Sequence, residues 1–275
     1  MSGFDKEAVA EAYNRGLALE KAGDRDGAAE AYRQALALDP DDHGGASVRL
    51  AAMGRGETPE KMPDAYVETL FDQHADDFDD ILVNQLRYCV PLLLREQLRT
   101  HADGAFNRVL DLGCGTGLAG VALKDCAKHI TGVDLSERIV ELAYDREVYD
   151  DLYVGEAVGF LREFEEEENA NPRWDLIVAT DVFPYLGDAG PFVTAAAARL
   201  NRDGLLGFST ETLPEEALKG RPYKIGPDKR FAHDPGYIAE ILADAGFETL
   251  AMDDIVVRLE EGSPVPGHLV LARLA

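Results

Sequence analysis

The chain has 275 residues, 46% of them hydrophobic, and a formal net charge of −25. Such a length and apolar content can bury a substantial core, in one large domain with an appendage or in two modest domains. The charge repels phosphate backbones, so no nucleic-acid partner is expected. The sequence holds no uncharged apolar run of ~18 residues or more, so no membrane span is expected either.

The opening residues, MSGFDKEAVAEAYNRG, are acidic and amphipathic and lack the basic and apolar regions of a secretory signal. Three cysteines, Cys89, Cys114 and Cys126, form neither a CxxC pair nor a His/Cys cluster of zinc spacing. They fit packing roles in a reducing, cytoplasmic setting, and no metal is expected. Val9, Tyr13 and Leu17 recur at helical spacing until Ala22-Gly23-Asp24 breaks the pattern. Ala28, Tyr32, Ala35 and Leu36 then mark a second helix that stops before Pro40. Gly16, Ala28, Tyr32, Ala35 and Pro40 make this hairpin resemble one tetratricopeptide repeat of ~34 residues, with Ala12 where that family often has a large aromatic. A lone repeat cannot bury its own apolar face. It must dock on the rest of this chain or on a second copy. Two uses stay open, a packing element or a platform for a protein partner, and a homo-oligomer is left open with them.

Residues 42–57 read as a short helix between loops, Thr58-Pro59 as a helix start, and Pro63 and Pro91 as further helix starts in a mostly helical stretch reaching about residue 100. The pattern changes at residue 107. Strand-like runs RVLDLG, HITGVDL, DLYVGE, WDLIVATD, GLLGFST, ETLAMDDIVVRL and GHLVLARL follow, most of them separated by helical stretches. That alternation predicts a parallel sheet wrapped on both faces. The last two runs, joined through Glu261-Gly262-Ser263-Pro264, leave no room for a helix and predict an antiparallel hairpin. The acidic run Glu163 to Glu168 reads as a solvated helix end.

The central motif is Val109-Leu-Asp111-Leu-Gly113-Cys114-Gly115-Thr-Gly117, a buried strand running into a glycine turn that opens a helix. Glycines there admit backbone angles and ligand approach that a Cβ would block, and helix-terminal N–H groups face the ligand. Residues 115–120 also satisfy GxGxxG, which alone is weak evidence for a dinucleotide. Asp111, two residues before the first glycine, would welcome an ammonium group and repel a pyrophosphate. With its GxGxG placement, the stretch resembles motif I of class I S-adenosylmethionine-dependent methyltransferases. Asp134, in Gly132-Val-Asp134-Leu135-Ser136, follows one helix-plus-strand unit later and can accept from both ribose hydroxyls, with Ser136 capping the next helix.

The resemblance implies a Rossmann-like seven-stranded sheet with helices on both faces, a terminal antiparallel hairpin and the N-terminal helical segment in front. It divides the chain into residues 1–57 (repeat-like hairpin and linker), 58–104 (helical cap) and 105–275 (catalytic domain). From residue 65 onward the chain is similar to predicted methyltransferases that carry an N-terminal tetratricopeptide repeat. It implies S-adenosylmethionine as cofactor, held by Asp111, Gly113, Cys114, Gly115, Gly117, Asp134, Leu135, Glu156, Ala157, Thr180 and, from the cap, Phe78. Phe71 and His74 are expected beside that pocket. Glu156 departs from the usual Gly-Asp by one methylene.

Methyl transfer needs mainly positioning of two reactants, and a base only where the acceptor must lose a proton. His233, Asp181 and Tyr185 are the catalytic candidates: His233 by its intrinsic pKa, the others by their place beyond the strand Trp174 to Ala179. The positive segment Lys219 to Arg230 is expected to line the substrate mouth and attract a carboxylated or phosphorylated small molecule. The acceptor is expected to be a small molecule. A protein acceptor recruited by the repeat, and a non-catalytic cofactor-binding module, are the alternatives.

Overall fold

The computed structural model describes residues 5–102, 105–167 and 169–275. Met1 to Phe4 and Glu168, the last residue of the acidic run, lie outside them. Among the described residues no helix is long and apolar enough to cross a membrane.

The chain opens with α1 (Lys6–Lys21), α2 (Arg25–Leu38) and α3 (Ala46–Ala52). Asp5 caps α1 by accepting from the Glu7 and Ala8 amides, and Asp24 caps α2 through the Gly27 amide. The first two helices fit because a small residue faces a large one. A Cβ on Gly16 would sit 2.6 Å from the Tyr32 ring, and Tyr32 is fully buried with Ala28, Ala29 and Ala35 around it. The exposed face of the repeat finds its cover in the same chain. Helix α3 turns Ala46 and Leu50 toward α1 and α2, and Val48 and Ala51 toward Met62, Ile225 and Phe231.

Thr58-Pro59 does not open a helix. Glu60 to Met62 cross the loop at 185–188 in extended form: the Met62 N–H donates to the Tyr185 carbonyl (2.9 Å) and the Gly187 N–H to the Glu60 carbonyl (2.7 Å). The backbone groups that a helix would satisfy internally are satisfied by another segment. Helix formation waits for α4 (Asp64–His74), directly after Pro63, and continues through a π-helical turn at Asp80–Gln85 to α5 (Val90–His101), with Pro91 in its first turn.

A nine-stranded sheet follows, made of β1 (Val109–Leu112), β2 (Ile130–Asp134), β3 (Asp151–Val154), β4 (Trp174–Ala179), β5 (Leu200–Glu211), β6 (Tyr223–Ile225), β7 (Phe231–His233), β8 (Phe247–Glu260) and β9 (Ser263–Leu274). The helices among them are α6 (Leu118–Leu123), α7 (Glu137–Asp145), α8 (Ala157–Glu163), α9 (Gly190–Arg199), α10 (Glu215–Leu218) and α11 (Pro235–Asp244). Strands β3-β2-β1-β4-β5 are parallel in that order. Strand β9 lies antiparallel against β5, and β8 closes the hairpin against β9 across Glu261-Gly262, both at positive φ, as a two-residue hairpin turn requires. The seven strands expected from the sequence are present. The two additional ones, β6 and β7, are three residues each, too short to leave a period. They attach where the end of β5 pairs with β7, at Glu211 and Ala232.

Alternation decides the layers. Leu110 and Leu112 of β1, with Ile177 and Ala179 of β4, face the core under α8, α9 and α11. Val109, Leu176 and Val178 face the core under α5 and α6. Both faces are covered, as a parallel sheet demands. Strand order reverses between β1 and β4, the place where open α/β sheets bind ligands beyond the carboxyl ends of their strands.

Candidate functional site

A cavity opens at that switch point, where ligand sites of open α/β sheets lie. It runs along the strand ends from Glu156 after β3, past Asp134 at the end of β2 and the glycine turn after β1, to Asp181 after β4. Its roof is the cap, through Met62, Val67, Phe71, Phe78 and Leu82.

The glycine turn is shaped by its backbone. Gly113 has φ +64°, and a Cβ there would sit 2.4 Å from Val182 Cγ2, so a side chain is excluded by conformation and by space. Asp134 ties the turn to β2: its Oδ2 accepts the Gly115 N–H at 2.9 Å and its Oδ1 the Ser136 N–H at 3.1 Å. Burial pushes the Asp134 carboxyl up, against the pull of those amides. Ser136 caps α7 through the Ile139 amide (3.1 Å), while its hydroxyl donates to Asp72 on α4. Asp79, just before the π-helical turn, receives the Thr116 hydroxyl and the Arg146 guanidinium. The cap is thus fastened at two points, through Asp72 to Ser136 and through Asp79 to the glycine turn and Arg146.

Of the residues expected to hold a cofactor, Phe78, Gly113, Cys114, Gly115, Asp134, Leu135, Glu156, Ala157 and Thr180 line this one cavity. Asp111 and Gly117 lie behind it. Asp111 is fully buried, its Oδ2 accepting the Tyr149 hydroxyl (2.6 Å), its Oδ1 without a hydrogen-bond partner. Burial, with Asp134 nearby, pushes its carboxyl up to about 7 against the Tyr149 bond. Gly117 begins α6 and packs on Tyr149 and Arg146. Glu156 caps α8, its two oxygens accepting from Val158 (3.1 Å) and Gly159 (2.7 Å). Its extra methylene folds the carboxylate back onto the helix, and each oxygen keeps a second lone pair. Phe71 lines the cavity between Phe78 and Tyr185, ring centroids 5.6 and 5.4 Å away. His74 points to solvent at the end of α4.

The catalytic candidates separate. Asp181 and Tyr185 line the end of the cavity beyond β4. His233 does not line it. It is the last residue of β7, fully buried, with Nε2 2.9 Å from the Leu186 carbonyl and 3.1 Å from that of Gly187. Two carbonyl acceptors require the proton on Nε2, so the ring fixes the loop that carries Tyr185, and burial lowers its pKa to about 4.

A group whose pKa falls from ~6.5 unfolded to about 4 folded contributes stability that is present above pH 6.5 and lost as pH falls toward 4. The loss reaches about 2 kcal/mol by pH 5. Urea unfolding at pH 7 and pH 5 should show that difference shrink in His233→Gln. An equal pH response in both proteins would remove His233 from the account.

The positive segment is not a free cationic mouth. The Lys224 ammonium donates to the Ala217 carbonyl (3.1 Å). Arg230 turns inward, with Nε on Glu211 (2.6 Å), Nη1 on the Tyr185 hydroxyl and Nη2 on Asp181 Oδ1 (both 2.7 Å). Arg258 pairs with the same Glu211 from β8. Sequence reasoning missed this use of Arg230, and it missed Met62 and Tyr88 as cavity walls. They come from three distant segments, and no spacing links them.

Residues 82–252 match the family model described as methyltransferase domain. The chain belongs to the methyltransferase-domain family. Ahead of the methyltransferase domain, residues 9–42 match the tetratricopeptide repeat model, which covers α1 and α2. The methyltransferase is 29% identical over 171 residues to a ubiquinone biosynthesis O-methyltransferase of Thiobacillus denitrificans, across 58% of this chain and 72% of that one. It is 33% identical over 104 residues to the malonyl-[acyl-carrier protein] O-methyltransferase of Acetivibrio thermocellus, across 37% of this chain and only 35% of that one. Among solved structures, the Burkholderia thailandensis 1,6-didemethyltoxoflavin-N1-methyltransferase, with 1,6-didemethyltoxoflavin and S-adenosylhomocysteine bound, superposes with TM-score 0.57 at 18% identity. The match spans 80% of this chain and 93% of that one. An S-adenosylmethionine-dependent methyltransferase from Clostridium acetobutylicum gives TM-score 0.53 at 17% identity, over 75% and 99% of the two chains. At these identities the structural likeness establishes the fold.

Proposed function

We propose that this chain transfers a methyl group from S-adenosylmethionine to a small-molecule acceptor held between the β4 loop and the cap. The observation that carries the reading is a roofed cavity with Asp134 toward one end and Asp181 and Tyr185 at the other. The relatives' names, ubiquinone biosynthesis O-methyltransferase and malonyl-[acyl-carrier protein] O-methyltransferase, support it.

The residues present suit the cofactor. Asp134, oriented by two backbone amides, offers its remaining lone pairs to the ribose hydroxyls. Leu135 and Ala157 supply apolar walls for the base, with Glu156 beyond them. The unpartnered Oδ1 of Asp111 lies behind the glycine turn, where negative charge favours a cationic ligand. S-adenosylmethionine, when bound, supplies a methyl group already activated on a sulfonium centre. The chain's own work is then to position the acceptor and exclude water. His233, locked on two carbonyls, holds the loop. Asp181, at the end of the cavity beyond β4, is the carboxylate that would accept a proton from the acceptor.

Residues 1–57, 58–104 and 105–275 serve in this reading as packing element, roof and catalytic domain. The roof favours a small acceptor over a protein side chain, because α4 and the strap at 60–62 cover the end beside Tyr185.

Isothermal titration with S-adenosylmethionine, S-adenosylhomocysteine and NAD tests the reading. The first two should bind at micromolar concentration, and NAD should give no heat. Binding of NAD alone, or of none, overturns it.

A further inference from the structure

The end of the cavity beyond β4 carries more information than an unspecified acceptor site. Asp181 sits at φ +64°, its backbone N–H donating to Ser209 Oγ at 3.0 Å. The backbone is therefore held in the left-handed region. Its Oδ1 is taken by Arg230, which leaves Oδ2 as an acceptor. Tyr185 is complementary. Its oxygen accepts from Arg230 Nη1, and the guanidinium lies over its ring at 4.9 Å, so the hydroxyl proton must point elsewhere. Burial pushes that hydroxyl up to about 12, against the pull of Arg230, and it stays a donor. One planar guanidinium thus presents, on two adjacent nitrogens, an acceptor oxygen and a donor hydroxyl at the wall of one cavity.

The charge balance points the same way. Arg230 is shared between Asp181 and Glu211, and Arg258 is matched by Glu211, Asp228 (3.4 Å) and Glu260 (3.2 Å). Two guanidinium groups therefore meet four carboxylates. Among the described residues lining the cavity the one cation is Lys61, paired with Asp64 at 2.9 Å. An anionic ligand finds no uncommitted positive charge there, and a buried carboxylate facing Asp181 would be repelled. The walls around this end are Met62, Val67, Phe71 and Leu186.

We infer that Arg230 sets acceptor specificity by presenting Asp181 and Tyr185 as a pair, and that the acceptor is an uncharged apolar ring with a hydrogen-bond donor and acceptor on neighbouring atoms. An ortho-dihydroxy aromatic ring has that edge: one O–H donates to Asp181 Oδ2 and the other oxygen accepts from Tyr185. The inference rests on the proposed methyltransferase reading of the cavity and goes beyond it by naming the acceptor class. Arg230 is a positioning residue here, because it acts through the other two.

The full chain, saturated with S-adenosylhomocysteine, is titrated with naphthalene-2,3-diol, 2,3-dimethoxynaphthalene and 2-naphthoate. The diol should bind, the dimethyl ether at least about tenfold more weakly because it leaves Asp181 without a donor, and the naphthoate not at all. Asp181→Asn should weaken the diol about tenfold and leave the ether unchanged, whereas Tyr185→Phe, which keeps the ring, should weaken both, because each ligand has an oxygen that accepts from the hydroxyl. Arg230→Lys keeps the charge and loses the fork. It should bring the diol-to-ether ratio toward one with S-adenosylhomocysteine affinity retained, a split that loss of packing alone would not produce. Naphthoate binding as tight as the diol, equal binding of diol and ether, unchanged diol affinity in Tyr185→Phe and Asp181→Asn, or no diol binding overturns the inference. Failure of S-adenosylhomocysteine itself to bind is seen before any naphthalene is added, and it overturns the methyltransferase reading instead.

Discussion

Asp134→Ala is expected to weaken S-adenosylmethionine binding by at least about 100-fold. A carboxylate accepting two ribose hydroxyls makes two charge-assisted hydrogen bonds of roughly 1.5–3 kcal/mol each, and ~1.4 kcal/mol is tenfold in affinity. The alanine also removes the acceptor of the Gly115 and Ser136 amides, so the glycine turn loses its tie to β2. Asp134→Asn retains one carbonyl oxygen and should fall between the two. Titration calorimetry on all three proteins, with thermal melts to confirm folding, makes the comparison. A folded alanine variant that binds within tenfold of the parent would move the ribose elsewhere in the cavity.

Removing residues 1–57 should lower the melting temperature by about 10 °C. The reason is local: Met62, Ile225 and Phe231 are 2%, 1% and 0% exposed, covered on one side by Val48 and Ala51 of α3. Full burial of such a side chain contributes ~1.5–3 kcal/mol. Uncovering three of them by half costs roughly 3 kcal/mol, and ~1 kcal/mol shifts the melting temperature of a domain this size by ~2–4 °C. The loop held by the strap at 60–62 carries Tyr185, so acceptor affinity should fall with stability. Differential scanning calorimetry of residues 58–275 beside the full chain decides it. An unchanged melting temperature would mean that the repeat packs on nothing essential and is free to recruit a partner.

The chemistry of the cofactor side was legible because it is local. Asp111, the three glycines and Asp134 sit at strand ends whose apolar runs are plain in the sequence. The backbone angles they need are properties of single residues, and Ser136 and Asp134 fall where a strand must hand over to a helix. The helical hairpin at 6–38 was legible for the same reason, through Val9, Tyr13 and Leu17 at helical spacing and the break at Ala22-Gly23-Asp24.

The acceptor side was not legible. Thr58-Pro59 has the local chemistry of a helix start, yet its neighbours run extended because the loop at 185–188 offers hydrogen bonds that no window of sequence contains. His233 has the pKa of a general base in isolation. Burial holds it neutral, and the carbonyls of Leu186 and Gly187, 47 and 46 residues away in sequence, turn it from the cavity. Arg230 reads as part of a positive loop until Asp181, after β4, and Glu211, at the end of β5, enclose it. Propensity and periodicity act over a few residues, so the seven longer strands, the glycine turn and the acids Asp111 and Asp134 on their strands could be read from the sequence alone. The folded chain decides which charges are consumed in pairs, which face of the repeat is covered and which groups line the cavity beyond β4, because burial and pairing depend on neighbours that chain order does not specify.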